Sequence, residues 1–374
     1  MQAPTDTSRR FMLQTLGGAL LASALIPAAA RAQGAPSRKL GYAIVGLGGY
    51  ATRQIMPQFR NCELSRLVAL VSGTPEKLES YGSEYDIPRT HRYSYAQFDS
   101  IRDNPDIDIV YVVLPPVLHA EYSIRASQAG KHVLCEKPMA MSSDEGRAMV
   151  AAAKKAGRKL MIGYRSRFQA HNVEAIRMIR SGAIGRPRIV TSEHGFPISG
   201  NPWRLDRSVS GGGSLMDMGI YSLQAARYLA GEEPTLVSAV EQTDRTDPRF
   251  RTVEDRITFQ LAFPSGTIAN GVSSYSSAHN IYRATGETGW IELEPATSYA
   301  GQTMWVRRGD APAAQHEPPA LPKNQFAGML DHLSECAVTG RDPIVPGEEG
   351  VRDMALIEAI YRSAREGRAV RMEA

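Results

Sequence analysis

Lys39-Leu40-Gly41-Tyr42-Ala43-Ile44-Val45-Gly46-Leu47-Gly48-Gly49-Tyr50-Ala51 is the stretch that decides the fold. A short, apolar, β-rich run breaks directly into G-x-G-x-x-A, and the residues after it can open a helix. The order has a physical reason. A side chain at Gly46 would obstruct the tight turn, and one at Gly48 would block backbone approach to a pyrophosphate, whose charge is met by the start of the next helix. In a chain with 33 glycines the hexapeptide alone is a weak signal. Its place after the first strand of a wound pattern makes it specific, because a plain turn has no need of that context.

Outward from this motif, short apolar runs alternate with amphipathic segments as far as Gly163. Strands are predicted at Leu40–Val45, Leu67–Val71, Ile109–Leu114, His132–Cys135 and Leu160–Gly163, with helices over Pro75–Tyr85, His119–Ala129 and Ser143–Ala156. Ser142 to Glu145 reads as a capping box for the last of these. Residues 38–163 are therefore expected to form an α/β Rossmann domain with a doubly wound parallel sheet. Beyond Gly163 the texture becomes alternating and hairpin-like. Arg186–Phe196, Leu236–Thr243, Arg256–Phe263 and Thr267–Ser276 read as strands, with Pro264-Ser265-Gly266 as a hairpin loop. Helices are predicted at Ser214–Leu229, Asn324–Thr339 and Glu348–Glu366, and a surface loop over 307–323. Residues 164–374 are thus expected to be a substrate-binding α+β domain with a mostly antiparallel open sheet.

Length and composition agree with two soluble domains: 374 residues, 43% hydrophobic and 22% charged. Residues 1–32 read as a targeting segment rather than as structure. Ser8-Arg9-Arg10-Phe11-Met12-Leu13-Gln14 resembles the twin-arginine export motif, followed by an apolar stretch to Ala30 and a cleavage-like Ala30-Arg31-Ala32. The apolar stretch is shorter than the ~20 residues a spanning helix needs and contains Gly17, Gly18 and Pro27, which argues against an anchor. A periplasmic protein without membrane association is expected. Losing three arginines and one aspartate takes two from the net charge of +4 and leaves +2. Charges of both signs are interspersed, which argues against nucleic acid as a partner and favours a small neutral ligand. Cys62, Cys135 and Cys336 are too few and too widely spaced for a disulfide framework, and no Cys-x-x-Cys or paired-His spacing suggests a metal.

NAD-specific sites usually place an acid at the end of the second strand to take the ribose hydroxyls. Here that place reads Val71-Ser72-Gly73-Thr74-Pro75-Glu76-Lys77, with no acid at the strand end. Hydroxyl donors and the Lys77 charge suit the 2′-phosphate of NADP, although Lys77 alone would also serve as a solvated helix lysine. Cys135-Glu136-Lys137-Pro138 puts a lysine at the carboxyl edge of the sheet, where wound folds bind ligands. A surface charge is the alternative. Gly211 to Tyr221 then places Asp217 and Tyr221 four apart on one predicted helix, where both could touch one substrate or Tyr221 could be core.

At these motifs the sequence resembles the glucose-fructose oxidoreductase and inositol dehydrogenase family, over essentially Lys39 to Arg371. The resemblance rests on Gly46 to Ala51, Glu136-Lys137-Pro138, Gly163-Tyr164-Arg165, Gly211 to Tyr221 and Pro346-Gly347-Glu348-Glu349-Gly350. Many members have His where Tyr221 stands. Tyrosine there, with Val71-Ser72-Gly73, Asn201-Pro202-Trp203-Arg204-Leu205 and the twin-arginine motif, resembles the glucose-fructose oxidoreductase branch. That branch holds NADP tightly, oxidises glucose to its lactone and reduces a second sugar.

The resemblance implies Lys137, Asp217 and Tyr221 as catalytic and substrate-binding residues at the sugar's C1 hydroxyl. It implies Gly46, Gly48, Gly49, Tyr50, Ser72, Gly73, Lys77, Leu114, Pro115, Glu136 and Lys137 around NADP, with Trp203, Arg204 and Arg165 covering it and His119 near the nicotinamide. Chemistry agrees with the tyrosine assignment: phenol, with an ordinary pKa about 10, becomes a usable base beside an ammonium that favours the phenolate. An NAD-dependent glycosidase of the same family would favour NAD and a histidine site, and Ser72 and Tyr221 point away from it. A simple NADP-dependent aldose dehydrogenase is the other enzymatic reading. A noncatalytic regulator would be expected to lose Lys137 or Tyr221, and both are present. Relatives often pair through the antiparallel sheet, so a dimer or tetramer is expected by analogy.

Overall fold

A computed structural model describes residues 38–200 and 203–372 of the chain. The export motif and cleavage site, like Asn201 and Pro202, lie outside the described residues. The first sheet comprises β1 (Leu40–Val45), β2 (Ser65–Val71), β3 (Arg92–Tyr93), β4 (Ile109–Val112), β5 (His132–Cys135) and β6 (Leu160–Ile162). All pairs are parallel and the order is β3-β2-β1-β4-β5-β6. Crossover helices α1 (Pro75–Glu84), α2 (His119–Gln128) and α3 (Ser143–Ala156) link the strands. With both faces covered, the central strands have no polar side: Tyr42 to Val45, Val68 to Val71, Ile109 to Val112 and Val133 to Cys135 are all buried. Strand order reverses between β1 and β4, so their carboxyl ends open the crevice that wound sheets use for ligands.

The second sheet is preceded by α4 (Ala170–Arg180) and begins with β7 (Pro187–Gly195). A short helix α5 (Arg207–Ser210) and then α6 (Ile220–Ala230) come before β8 (Leu236–Gln242), β9 (Arg256–Ala262), β10 (Ile268–Ser274) and β11 (His279–Gly286). After these come β12 (Gly289–Leu293), β13 (Met304–Arg308), β14 (Ala314–Gln315), the helices α7 (Gln325–Thr339) and α8 (Gly347–Glu366), and β15 (Val370–Arg371). The order is β14-β13-β12-β11-β7-β10-β9-β8-β15. Only β7 and β10 run parallel, and every other pair is antiparallel. Both architectures expected from the sequence are present.

β3, α4 and β15 were not expected, and four further details differ for physical reasons. The strand expected to reach Leu114 stops at Val112, because Leu114-Pro115-Pro116 turns the chain. The expected loop 307–323 begins inside β13 and contains β14, whose exposed residues pair by backbone register, Trp305 with Gln315, without an apolar pattern. β11 and β12 gave no strand signal because polar residues dilute their alternation; Arg283 Nε donates to Glu292 Oε2 across them at 2.7 Å. The helix expected over Ser214–Leu229 is a π-turn at Leu215–Gly219 followed by α6. Buried Glu254 explains its start: its carboxylate accepts from the Gly213 and Leu215 amides, both at 2.8 Å, and from the Tyr361 hydroxyl at 2.9 Å. A Cβ at Gly213 would stand 2.1 Å from the Glu254 carbonyl oxygen, so only glycine allows this approach.

The C-terminal helices return to the first sheet. Tyr42 donates to the Leu330 carbonyl at 2.7 Å, and Asp331 on α7 accepts from the Glu63 and Leu64 amides at 2.7 and 3.0 Å. Glu358 on α8 accepts from the Ser143 amide at 2.7 Å, at the start of α3.

Candidate active site

The glycine turn comes after β1 at the crevice. Gly46 has φ +97°, and a Cβ there would lie 2.4 Å from the Val113 carbonyl oxygen, so both conformation and packing require glycine. Gly48 is different: a Cβ would meet nothing within 4 Å. Protein packing does not require that glycine, and the space it leaves fits a group brought close to the backbone. At Gly49 a Cβ would stand 2.6 Å from Nη2 of Arg53, an exposed arginine folded back over the turn. No acid occupies the first turn of Ala51–Ile55, which suits an anion. Tyr50 packs its ring near Phe326 and Tyr299, with centroids 6.4 Å away in each case.

The end of β2 lies beside this turn. Ser72 is buried, its amide bonded to the Tyr93 carbonyl at 3.0 Å. Its Oγ accepts from the Thr74 amide at 3.1 Å, which leaves the hydroxyl proton to donate elsewhere. Gly73 lies against the Tyr95 ring. Lys77 reaches back from α1 to donate to the Leu47 carbonyl at 3.0 Å, bringing an ammonium to the glycine turn. The turn, the open Cβ position of Gly48, Ser72 and Lys77 together fit a dinucleotide.

Leu114 and Pro115 come after β4 on the other side of the crevice. His119 joins their turn to the one after β5: its Nδ1 is 2.7 Å from the Pro138 carbonyl oxygen and its Nε2 is 2.7 Å from that of Leu114. The ring is buried, and each nitrogen faces a carbonyl, of which a neutral imidazole can donate to one. Burial lowers its pKa and the two carbonyls oppose that. It therefore braces the two turns.

Lys137 stands at the carboxyl edge after β5. Its Nζ donates to the Asp217 carbonyl oxygen at 2.6 Å and to Asp217 Oδ1 at 3.1 Å, and lies 4.8 Å from the Tyr221 ring centroid. The π-turn and α6 thus deliver both predicted helix residues to one ammonium. Asp217 Oδ2 accepts from Arg204 Nε at 2.9 Å and from the Tyr275 hydroxyl at 3.1 Å. Burial works to raise Asp217, but Lys137, Arg204 and the hydrogen bonds overcome it and hold the carboxyl below its ordinary range. Burial likewise opposes the charge on Lys137, while Tyr221 and Asp217 outweigh it and raise its pKa. Beneath Lys137, buried Glu136 accepts from the Tyr111 hydroxyl and from the Lys137 amide; burial pushes it up. Trp203 stacks on Arg204, with 4.4 Å between guanidinium and ring.

Arg165 is buried, bonded to Gln325 Oε1 at 2.7 Å and to the Thr297 carbonyl. Its guanidinium lies 5.5 Å from the Tyr221 ring centroid and 4.6 Å from that of Tyr299. On Tyr221 packs His194, with centroids 5.7 Å apart. Burial, with Arg165 and Lys137 adding positive charge, pushes His194 down to about 3, so it is a neutral ring. Ser222 donates its hydroxyl to the Val272 carbonyl, so His194 Nδ1, 3.0 Å from Ser222 Oγ, carries the proton.

Of the site residues expected from the sequence, Lys137, Asp217, Tyr221, Arg204 and Arg165 are brought together by direct contacts, and Lys77 reaches the glycine turn after β1, while Asn201 and Pro202 lie outside the described residues. Arg53, His194, Tyr275 and Tyr299 were missed. Tyr275 and His194 read only as strand residues, and Tyr299 belongs to no motif; Arg53 alone had a signal, a cation five residues after Gly48. Among the described residues no group of three or more His, Cys, Asp or Glu could hold a metal, and no helix is long and apolar enough to cross a membrane.

Comparison with known proteins gives matches over both sheets. Residues 40–164 match the oxidoreductase family with an NAD-binding Rossmann fold, and residues 173–292 match the GFO/IDH/MocA C-terminal domain. The crystal structure of an aldose-aldose oxidoreductase from Caulobacter crescentus, complexed with glycerol, is 64% identical, with a TM-score of 0.88 over 90% of this chain and 100% of that one. A 3-ketoreductase from Actinomadura kijaniata, in complex with NADP and TDP-benzene, is 25% identical with a TM-score of 0.76, covering 87% of this chain and 98% of that one. The D-xylose 1-dehydrogenase [NADP(+)] of Haloarcula marismortui is 27% identical, over 91% of this chain and 95% of its own.

Proposed function

We propose, from the premise that this chain belongs to the GFO/IDH/MocA family of oxidoreductases, that it oxidises an aldose such as glucose at C1 to the lactone. A second sugar, fructose or another aldose, would then take that hydride back from the same tightly bound cofactor and become the polyol, leaving the cofactor as NADP again. The observation that carries this reading is the clustering of Lys137, Asp217 and Tyr221 at the carboxyl edge of the sheet, beside the open turn of Gly48. The names of the relatives support an aldose as substrate, and two of them carry NADP in their names.

When bound, the nicotinamide supplies the two-electron acceptor for the hydride of C1. Tyr221 takes the proton of the C1 hydroxyl, and Lys137 holds the oxygen as it loses that proton. Asp217 fixes the ammonium. In the second half-reaction Tyr221 returns the proton to the carbonyl oxygen of the acceptor sugar. NADP rather than NAD is favoured by Ser72 and Lys77 and by the lack of an acid at the end of β2.

Export completes the proposal. A twin-arginine leader would carry the chain folded around its cofactor to the periplasm, where no pool of free dinucleotide is expected, so reduction of a second sugar regenerates the cofactor in place. Trp203 and Arg204 are the candidates for retaining it. The test mixes dialysed protein with glucose and a carbonyl sugar, adds no cofactor, and measures lactone and polyol. Equal amounts of both are expected. Steady turnover that depends on added NADP would leave an ordinary dehydrogenase, and NAD as the extracted nucleotide would overturn the reading of Ser72.

A further inference from the structure

Asp217 has little left to offer a sugar. Its Oδ1 is taken by Lys137, and its Oδ2 by Arg204 Nε and the Tyr275 hydroxyl. Lys137 spends two of the three N–H groups of an ammonium on Asp217, one on the carboxylate and one on the main-chain carbonyl. Tyr275 comes from just beyond β10. It is buried, and Phe196 packs edge-on against its ring at 5.5 Å. Together with Ile198, Phe250 and Val253 it forms a small apolar cluster apart from the main core, against which Leu205, next to Arg204, also packs.

We propose that Arg204 and Tyr275 are positioning residues that act through Asp217: by taking Oδ2 they keep the carboxylate charged and aimed at Lys137, whose third N–H is left for the reacting oxygen between it and Tyr221. This rests on the reading of Lys137 and Tyr221 as the acid–base pair. The groups facing the carboxylate are Lys137 from the turn after β5, Arg204 from the segment before α5, and Tyr275 from the end of β10. With Arg204 replaced, Lys137 is the only cation left in contact. Burial, which works to raise the carboxyl, then meets less opposition, and protonation of Asp217 at a higher pH releases Lys137.

The experiment compares Arg204→Met, Arg204→Lys and Tyr275→Phe with the wild-type chain in two ways. Turnover is measured against pH with glucose as donor. Arg204→Met moves the acidic limb of kcat upward by about one pH unit, so that turnover on that limb falls about tenfold and recovers as pH rises. Arg204→Lys restores most of the position. Tyr275→Phe, which removes one neutral hydrogen bond, moves the limb in the same direction by about threefold in turnover. The carboxyl titration of Asp217, read by difference infrared spectroscopy against Asp217→Asn and without sugar, moves upward in parallel. A limb and a carboxyl titration that stay at the wild-type pH in both Arg204→Met and Tyr275→Phe overturn the proposal, even if kcat falls throughout or KM rises. If Arg204→Met does not fold, Tyr275→Phe decides alone, since it deletes one oxygen. Absence of any wild-type sugar turnover would count against the proposed reaction, and the infrared titration would still judge the role of Arg204 and Tyr275.

Discussion

The glycine turn and the Lys137 cluster lie along one crevice, yet they are built on opposite principles. At the turn, polar groups are left with capacity to spare: the Cβ position of Gly48 faces open space, the Ser72 hydroxyl keeps its proton, and Lys77 meets only a main-chain carbonyl. Around Lys137 the partners are already in place, with the ammonium and both oxygens of Asp217 engaged within the protein. A binding surface for a large anion gains by leaving donors unspent until the ligand arrives. A site for proton transfer gains by fixing its charges beforehand, because dipoles that reorient during the reaction add to its barrier. One half waits for its ligand, and the other is set before the ligand comes.

The contrast breaks most visibly at the pair itself. Tyr221→Phe keeps the ring against His194 and Lys137 but removes the proposed proton carrier, so turnover is expected to fall about 10²-fold to 10⁴-fold while sugar still binds. Lys137→Met is at least as damaging, because it deletes the ammonium meant to hold the reacting oxygen and leaves Arg204 as the one cation in contact with the Asp217 carboxylate. Steady-state kinetics and sugar-binding calorimetry check both, and normal turnover in either variant removes that residue from the chemistry.

Two glycines sharpen the other side. Gly48→Leu fills space that no protein atom uses, so the nucleotide-free chain keeps the melting temperature of the nucleotide-free wild type but no longer binds most of its nucleotide. Gly46→Ala forces a side chain to within contact of Val113 at a left-handed φ, and lowers the melting temperature as well. Thermal melts paired with extraction of the bound nucleotide separate the two. Equal melting losses would show that Gly48 serves packing. A smaller effect is expected at Ser72→Asp, which sets a carboxylate where a 2′-phosphate is expected and moves the NADP to NAD preference about tenfold toward NAD. Competitive nucleotide binding measures it, and an unmoved preference would place the phosphate elsewhere.

How much of this was legible depends on what each residue answers to. The first sheet is buried on both faces, so its strands are apolar runs and the glycine turn obeys a fixed grammar; five of its six strands and its three crossover helices could be read, while β3, two residues long, could not. Lys137 and Asp217 sit in motifs dense enough to be noticed. His194 on β7 and Tyr275 just after β10 owe their importance to neighbours far away in sequence, Ser222 and Asp217, and no local pattern marks them. The π-turn at Leu215–Gly219 was hidden for the same reason: its cause is Glu254, which reaches it from another segment. β11 and β12 were obscured by charged residues that pair across the sheet, as Arg283 does with Glu292.

The return of α7 to the first sheet has a consequence for the order in which the molecule is made. Tyr42 on the first strand completes its hydrogen bond with Leu330, 288 residues later, and Ser65 meets the hydroxyl of Ser334 at 2.8 Å. A ribosome extends the chain from its amino end, so the wound sheet that carries the glycine turn emerges long before the helix that covers it. Contacts of such large sequence separation close late and slowly. The nascent sheet must therefore wait, with one apolar flank uncovered, until almost the whole polypeptide has been synthesised, and a product truncated before α7 would expose that flank to chaperones and to aggregation.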